Sequence, residues 1–354
     1  MKNEAYAVIM AGGNGERFWP LSTPERPKQF LSLFGGKPLI RHAVDRLAGL
    51  FPPERIFVVT AARLVPQTRQ ALPTLPHANI VGEPCRRDTA AAVAVAVGLV
   101  RRVGGERAVG CVLTADQLIE PASAFRRTVR DAVTAARRSG SIVTLGIEPT
   151  YPATGFGYIE YGANVDFGTK TVFAAARRFV EKPDAVTAAK YVMSGRFGWN
   201  AGMFIWRADT MAAEFAAHAP DIGALIDGVA QAKSVPTFLR RAYPSVRAIS
   251  VDYAVMEHTR NILAAKCAFT WDDVGSWLAI PNHFPSDAQG NTCLGRTALL
   301  DAAESVVVSD ETHLTAVVGL DNVIVVHTPK ATLVCAKDRV QDVKRLVAAI
   351  WKGR

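Results

Sequence analysis

The chain has 354 residues, 49% hydrophobic and 21% charged, enough to bury the core of one large or two modest domains and too apolar for disorder. Its formal charge of +9 favours anionic partners, but the pairs Arg86-Arg87, Arg101-Arg102 and Arg137-Arg138 are dispersed among acids. They lack the clustering and aromatic interleaving of a nucleic-acid binder, so small phosphorylated ligands fit better, with an Arg-rich solvated surface as the alternative.

In chain order, residues 6–10, 56–60, 79–81, 109–113 and 142–145 are short β-branched runs that predict strands, and 39–47, 89–102 and 125–138 carry helical patterns between them. This alternation predicts a parallel, helix-covered α/β sheet, whose ligands bind beyond the carboxyl ends of the strands. Chemistry is therefore expected in the loops at 11–15, 83–88 and 114–117. From about 150 to 284, Gly/Pro-punctuated strands (157–161, 201–206) mix with a helix at 208–217, and no linker is visible. After Pro285 the pattern becomes strand-like pieces at 306–308, 315–318, 323–326 and 332–335 with a helix at 340–350, a small all-β appendage. The expected domains are 1–285 and 286–354.

The longest nearly apolar run, residues 90–100, falls short of the roughly 18 residues of a membrane span, and its alanines suit a buried helix. Residues 6–11 form too short an apolar stretch for a secretory signal, so a cytoplasmic protein with no membrane partner is expected. The five cysteines (Cys85, Cys111, Cys267, Cys293, Cys335) form no CxxC pair; reduced, mostly buried thiols are expected, without a disulfide framework or zinc.

The first strand runs into Met10-Ala-Gly-Gly-Asn-Gly-Glu-Arg-Phe18, where clustered glycines let backbone N–H groups close around an anion. It is neither a dinucleotide fingerprint, since Phe18 replaces the third glycine, nor a P-loop, since Gly36-Lys37 precedes Pro38. Arg17 and Arg26-Pro-Lys-Gln-Phe30 add cations that could neutralise a triphosphate. These blocks resemble the sugar-phosphate nucleotidyltransferases, and among them the mannose-1-phosphate guanylyltransferases. The likeness continues through Gly82-Glu-Pro-Cys-Arg-Arg-Asp-Thr-Ala90, Leu113-Thr-Ala-Asp116, Gly155-Phe-Gly-Tyr-Ile159, Phe179-Val-Glu-Lys-Pro183, Trp199-Asn-Ala-Gly-Met-Phe204 and Trp271-Asp-Asp-Val-Gly-Ser-Trp277.

The resemblance implies a Rossmann-like, GT-A-like mixed sheet covered by helices, a small C-terminal β-helix-like domain that can join subunits as a homodimer, and no isomerase domain. It implies GTP and mannose 1-phosphate as substrates and Mg²⁺ on Asp116 and Asp273, with Arg17 and Lys28 on the triphosphate. The nucleotide would be bound by Ala11, Gly12, Gly13, Gly15, Glu83, Asp88 and Thr89. The sugar phosphate would be bound by Gly157, Glu181, Lys182 and Asn200, the last offering a donor and an acceptor to vicinal hydroxyls. Asp88-Thr89 also reads as the N-cap of the following helix, and Trp199 and Phe204 read as packing. Two blocks depart from the family pattern: Thr114-Ala-Asp-Gln117 stands where many members have Pro-Ala-Asp-His, and Arg87-Asp-Thr-Ala-Ala91 where many have Arg-Asn-Thr-Ala-Pro. Another sugar 1-phosphate or nucleotide, such as a GDP-heptose product, is the alternative specificity; a catalytically silent regulatory homologue is the alternative class.

Overall fold

The structure, a computed structural model, describes residues 5–13 and 15–352. The chain forms two compact units that interleave along the sequence. One runs to Gly12 and takes Ala43–Ala115 and Ile119–Trp271, and the other comprises Gly13–His42, Asp116–Leu118 and the chain from Asp272.

Strands β1 Ala5–Ala11, β2 Ile56–Ala61, β3 Ile80–Glu83, β4 Val109–Thr114, β5 Leu118–Glu120, β6 Ile142–Ile147, β7 Tyr158–Val165, β8 Val172–Val180, β9 Phe197–Arg207 and β10 Ile262–Lys266 occupy the first three-quarters of the chain. All but β5 belong to one nine-stranded sheet of the first unit, ordered β3-β2-β1-β4-β9-β6-β10-β8-β7. β3, β2, β1 and β4 run parallel, whereas β9 is antiparallel to both β4 and β6. The sheet is therefore mixed. Its central strands read as unbroken apolar runs because both faces are covered: all six residues of β6 are buried. Register brings Met10 beside Thr114, Ala11 beside Thr60 and Ala61 beside Glu83, so the loops after β1, β3 and β4 leave one edge of the sheet.

The helix Asp88–Gly104 is buried from Ala90 through Val100, on every face. Small side chains allow this: a Cβ on Gly98 would lie 2.7 Å from Val229 Cβ and 2.8 Å from the Ile226 carbonyl of the helix Pro220–Gln231. No helix among the described residues is long and apolar enough to cross a membrane.

In the second unit, after the short β11 Thr270–Asp272 at the boundary, β12 Thr292–Leu294, β13 Thr297–Leu300, β14 Val306–Val308, β15 Thr315–Val318, β16 Val323–Thr328 and β17 Ala331–Ala336 build successive coils. Thr292, Val306 and Ile324 align in parallel, and β13 pairs in parallel with β15, which is the stacking of a β-helix. β17 returns antiparallel to β16. Inside lie Val306, Val308, Ile324, Val326 and Leu333, in one core with Phe18, Leu31, Phe34, Leu39, Trp277 and Ile280. Buried Asn291 fixes the first coil by donating to the Ala302 carbonyl and accepting from the Ser305 N–H, at 2.8 and 3.0 Å.

Several expected boundaries shift for local reasons. Asn79 precedes its strand: its amide donates to the Glu54 and Ile56 carbonyls, and β3 starts at Ile80. The terminal helix begins at Val343, after a 3₁₀ stretch Lys337–Asp342. The cysteines are all free, but only Cys111 is buried and the other four are half-buried, correcting the expectation of mostly buried thiols. Cys85 follows β3 and Cys267 follows β10, while Cys293 and Cys335 occupy strand positions that leave them half-exposed.

Gly98→Val should lower stability in urea unfolding by about 2 kcal/mol or more, since overpacking a tight core costs ~1–3 kcal/mol and valine restores little helix propensity beyond glycine's. An unchanged midpoint would mean that the two helices separate without cost.

Candidate active site

A cluster of opposite charges lies within the second unit. Lys28 opens the 3₁₀ turn Lys28–Phe30 behind Pro27 and is only 5% exposed. Its ammonium lies 3.1 Å from Asp116 Oδ2 and donates to the Asp273 carbonyl at 2.5 Å, which offsets the cost of burying the charge. Gln117 Nε2 donates to Asp273 Oδ1 over a long 3.5 Å. Gly275 leaves room beside the same carboxylate, because a Cβ there would sit 3.2 Å from Asp273 Oδ2. Arg17 donates to the Gly275 carbonyl at 3.3 Å. Burial pushes the Asp273 carboxyl upward and the charge of Asp116 acts the same way, against Lys28, Gln117 and Arg17.

The backbone that presents this cluster is constrained at two turns. Gly15 sits at φ +60°, and any Cβ there would run into Lys28. Asn14 of this loop lies outside the described residues; Gly13 has open space around it. Arg17 belongs to the turn Glu16–Phe18, anchored by Phe18 at 5.0 Å between ring centroids from Trp277. Between Asp273 and Gly275, buried Val274 is held at φ +47°, an unfavourable conformation for a β-branched residue, and its N–H donates to Asp272 Oδ1 at 2.6 Å. Asp272 spends its other oxygen on Asn282 and His283, so it holds the turn while Asp273 faces the lysine.

Asp116 and Asp273 are hard oxygen donors, and no cluster of three or more His, Cys, Asp or Glu suited to a metal occurs among the described residues. Two hard carboxylates suit a hard divalent cation, and a closed zinc site does not fit them.

The first unit carries the other expected residues in two groups. At the end of β1, the Ala11 carbonyl accepts from the Thr60 hydroxyl at 3.0 Å. A Cβ on Gly12 would lie 3.1 Å from Glu83 Oε2. Glu83 Oε1 accepts from the Tyr243 hydroxyl; burial pushes the Glu83 carboxyl up, and the Tyr243 bond opposes that. Asp88-Thr89 is not a regular N-cap. Arg87 occupies that position without a side-chain cap, Asp88 at φ +62° accepts the N–H of Thr89, and the Thr89 hydroxyl accepts instead from Val251 N at 2.9 Å.

The second group gathers around Gly157. A Cβ on Gly157 would lie 2.5 Å from Glu181 Oε2, and its carbonyl accepts from Asn200 N at 2.8 Å. Lys182, at φ +46°, pairs with Glu181 Oε1 at 2.5 Å. The Asn200 side chain is more committed than the sequence implied. Its Oδ1 accepts from the Thr144 hydroxyl and from Gly202 N, and its Nδ2 donates to Asp252 Oδ1 at 3.1 Å. Both acceptor lone pairs are used, so one N–H is left for a ligand rather than a donor–acceptor pair. Trp199 packs edge-on against Tyr151 and Phe156, as expected of a packing residue.

Asp252 and Tyr243 were missed by the sequence reading. Asp252 opens a π-helical turn, Asp252–Met256, whose Ala254, Val255 and Met256 are buried. A lone acid between Val251 and that apolar run was the available signal. Its carboxyl is pushed up to about 7, first by burial and next by the charge of Glu181, with Lys182 opposing.

The chain as a whole resembles proteins of known activity. The family model for nucleotidyl transferases matches residues 6–290, and the model for a mannose-phosphate isomerase/GMP-like β-helix domain matches residues 295–350. The mannose-1-phosphate guanylyltransferase of Escherichia coli is 38% identical over 349 residues, spanning 96% of this chain and 72% of that protein. Its namesake in Klebsiella pneumoniae is 37% identical over the same shares. A crystal structure from Thermus thermophilus, described as a mannose-1-phosphate geranyltransferase, is 35% identical with a TM-score of 0.85 and covers 98% of this chain and 99% of its own.

Because the Asp252 carboxyl rises from 3.8 to about 7 on folding, the folded state holds its proton more tightly. Stability is therefore lost as pH rises through that window. Asp252→Asn does not titrate, so its Tm relative to the parent should climb between pH 5 and pH 8; a pH-independent difference would show that the carboxyl is not perturbed.

Proposed function

We propose that this chain, which belongs to the nucleotidyl transferase family, transfers GMP from GTP to α-D-mannose 1-phosphate, giving GDP-mannose and pyrophosphate. The observation that carries the reading is the Lys28 ammonium set against Asp116 and the backbone of Asp273, with Arg17 on the adjoining turn. Two side-chain cations and two carboxylates balance each other, an arrangement suited to a polyanion that arrives with its own cation. The names of the similar proteins support mannose 1-phosphate as acceptor.

An oxygen of the sugar phosphate attacks the α-phosphorus of GTP in line, and pyrophosphate leaves with the electrons of the broken P–O bond. A phosphate monoester has a second pKa near ~6, so the attacking oxygen is already deprotonated at neutral pH and a general base adds little. The protein's work is to position two polyanions and offset their repulsion. Arg17 and Lys28 bind the triphosphate. Asp116 and Asp273 would hold Mg²⁺, which supplies further charge neutralisation to the phosphate oxygens. The Lys182 ammonium, with 54% of its side chain exposed, takes the phosphate of the sugar phosphate. Glu83, fixed by Tyr243, is an acceptor suited to the N1–H and N2–H₂ donors of guanine, with backbone at Ala11 and Gly12 completing the base contact.

Lys28→Ala and Asp273→Ala should each lower kcat by about 100-fold or more, about 3 kcal/mol of transition-state stabilisation, measured as pyrophosphate released from GTP and mannose 1-phosphate. Near-parental turnover in both would sink the assignment. Lys182→Ala should raise the KM for mannose 1-phosphate about 10-fold or more while leaving the KM for GTP nearly unchanged, and the reverse pattern would move this lysine to the nucleotide.

A further inference from the structure

We propose that Asp252 is a substrate-binding residue: its carboxylate, joined to Asn200, accepts a hydroxyl of the sugar phosphate and so completes the recognition begun by Gly157 and Glu181. This rests on the reading of the Gly157, Glu181 and Lys182 group as the sugar-phosphate site.

The hydrogen-bond inventory leads to it. A pyranose presents hydroxyls that each donate once, and a site that fixes them needs acceptors. Asn200 Oδ1 is taken by Thr144 and Gly202, the latter folding its N–H back at φ +68°. Glu181 Oε1 is taken by Lys182. Asp252 accepts from Asn200 at 3.1 Å and from its own backbone N–H, and once ionised a carboxylate, which accommodates about four such bonds, still has room for a ligand hydroxyl. With Glu181, whose Oε2 faces Gly157, it is one of two carboxylates in this group that keep acceptor capacity.

Its setting also calls for a ligand. Asp252 faces the charges of Glu181, Lys182 and Asp88, yet Lys182 is paired with Glu181, and among the described residues no ion pair joins a cation to Asp252 itself. A carboxyl held beside a second carboxylate without its own counter-charge weakens the fold. Such a cost is found where a group is kept for binding or chemistry. The Thr144–Asn200–Asp252 chain runs from β6 through β9 to the π-helical turn, so the carboxylate is held by a rigid sheet.

The test is a cycle between variant and ligand at saturating GTP and Mg²⁺, in which parent, Asp252→Ala and Asp252→Asn are each assayed with mannose 1-phosphate and its 2-, 3-, 4- and 6-deoxy analogues. Asp252→Ala should lower kcat/KM for mannose 1-phosphate about 10- to 100-fold, the range of a hydrogen bond to a charged group, with the loss in KM and kcat within about threefold of the parent. For one deoxy analogue the parent should lose the same factor, and parent and variant should then agree within about threefold. Asp252→Asn, of the same size and keeping one acceptor oxygen, should retain the fold and fall between the two. Equal losses in both variants for all five substrates would make Asp252 structural and overturn the proposal. A parent that turns over none of them would instead overturn the underlying assignment, and this inference with it.

Discussion

Placing the Lys28 ammonium in a nearly closed position is the constraint from which the second unit is built. A buried cation needs opposite charge and carbonyl oxygen at short range, and Asp116 and the Asp273 backbone supply both from segments far apart in sequence. The other local features follow from that need. Gly15 clears the space beside Lys28, the Phe18–Trp277 contact fixes the turn that carries Arg17, and Val274 accepts an unfavourable φ so that Asp273 and Gly275 can flank the charge cluster. Asp272 secures that strained turn by capping the Val274 N–H.

In the first unit the corresponding constraint is hydrogen-bond saturation. Thr144 and Gly202 exhaust the acceptor of Asn200, and Asn200 in turn orients Asp252. A glycine at 157 lets the Glu181 carboxylate approach the strand closely. Thr144, Asn200 and Gly202 sit on strands of one sheet whose centre is buried on both faces, and Gly157 and Glu181 adjoin the strands β7 and β8, so packing sets the positions of the group that holds Asp252. Placing polar recognition groups on a rigid support is how a site discriminates among sugars that differ by one hydroxyl.

The sequence made the sheet legible wherever both faces are buried: β1, β2, β4 and β6 are unbroken β-branched or apolar runs. It was less informative where composition is neutral. β10 reads Ile-Leu-Ala-Ala-Lys and lacks a strong β signal, and the helix Pro220–Gln231 packs through Ile222, Leu225, Ile226 and Val229. That Phe18 and Leu31 share a core with Val306 and Ile324 is a three-dimensional fact, because periodicity reports which face is buried and not against what. The motif blocks brought Lys28, Asp116 and Asp273 to attention, and the structure brings these three together. Asp252 and Tyr243 escaped because their roles depend on neighbours more than fifty residues away.

The most direct test of the central claim, nucleotidyl transfer to a sugar phosphate, is pyrophosphate release by the purified protein with Mg²⁺, each of the four NTPs and a panel of hexose and heptose 1-phosphates. Release with GTP and mannose 1-phosphate alone is the predicted result. Silence with every pair, from a folded protein with its metal supplied, would contradict it.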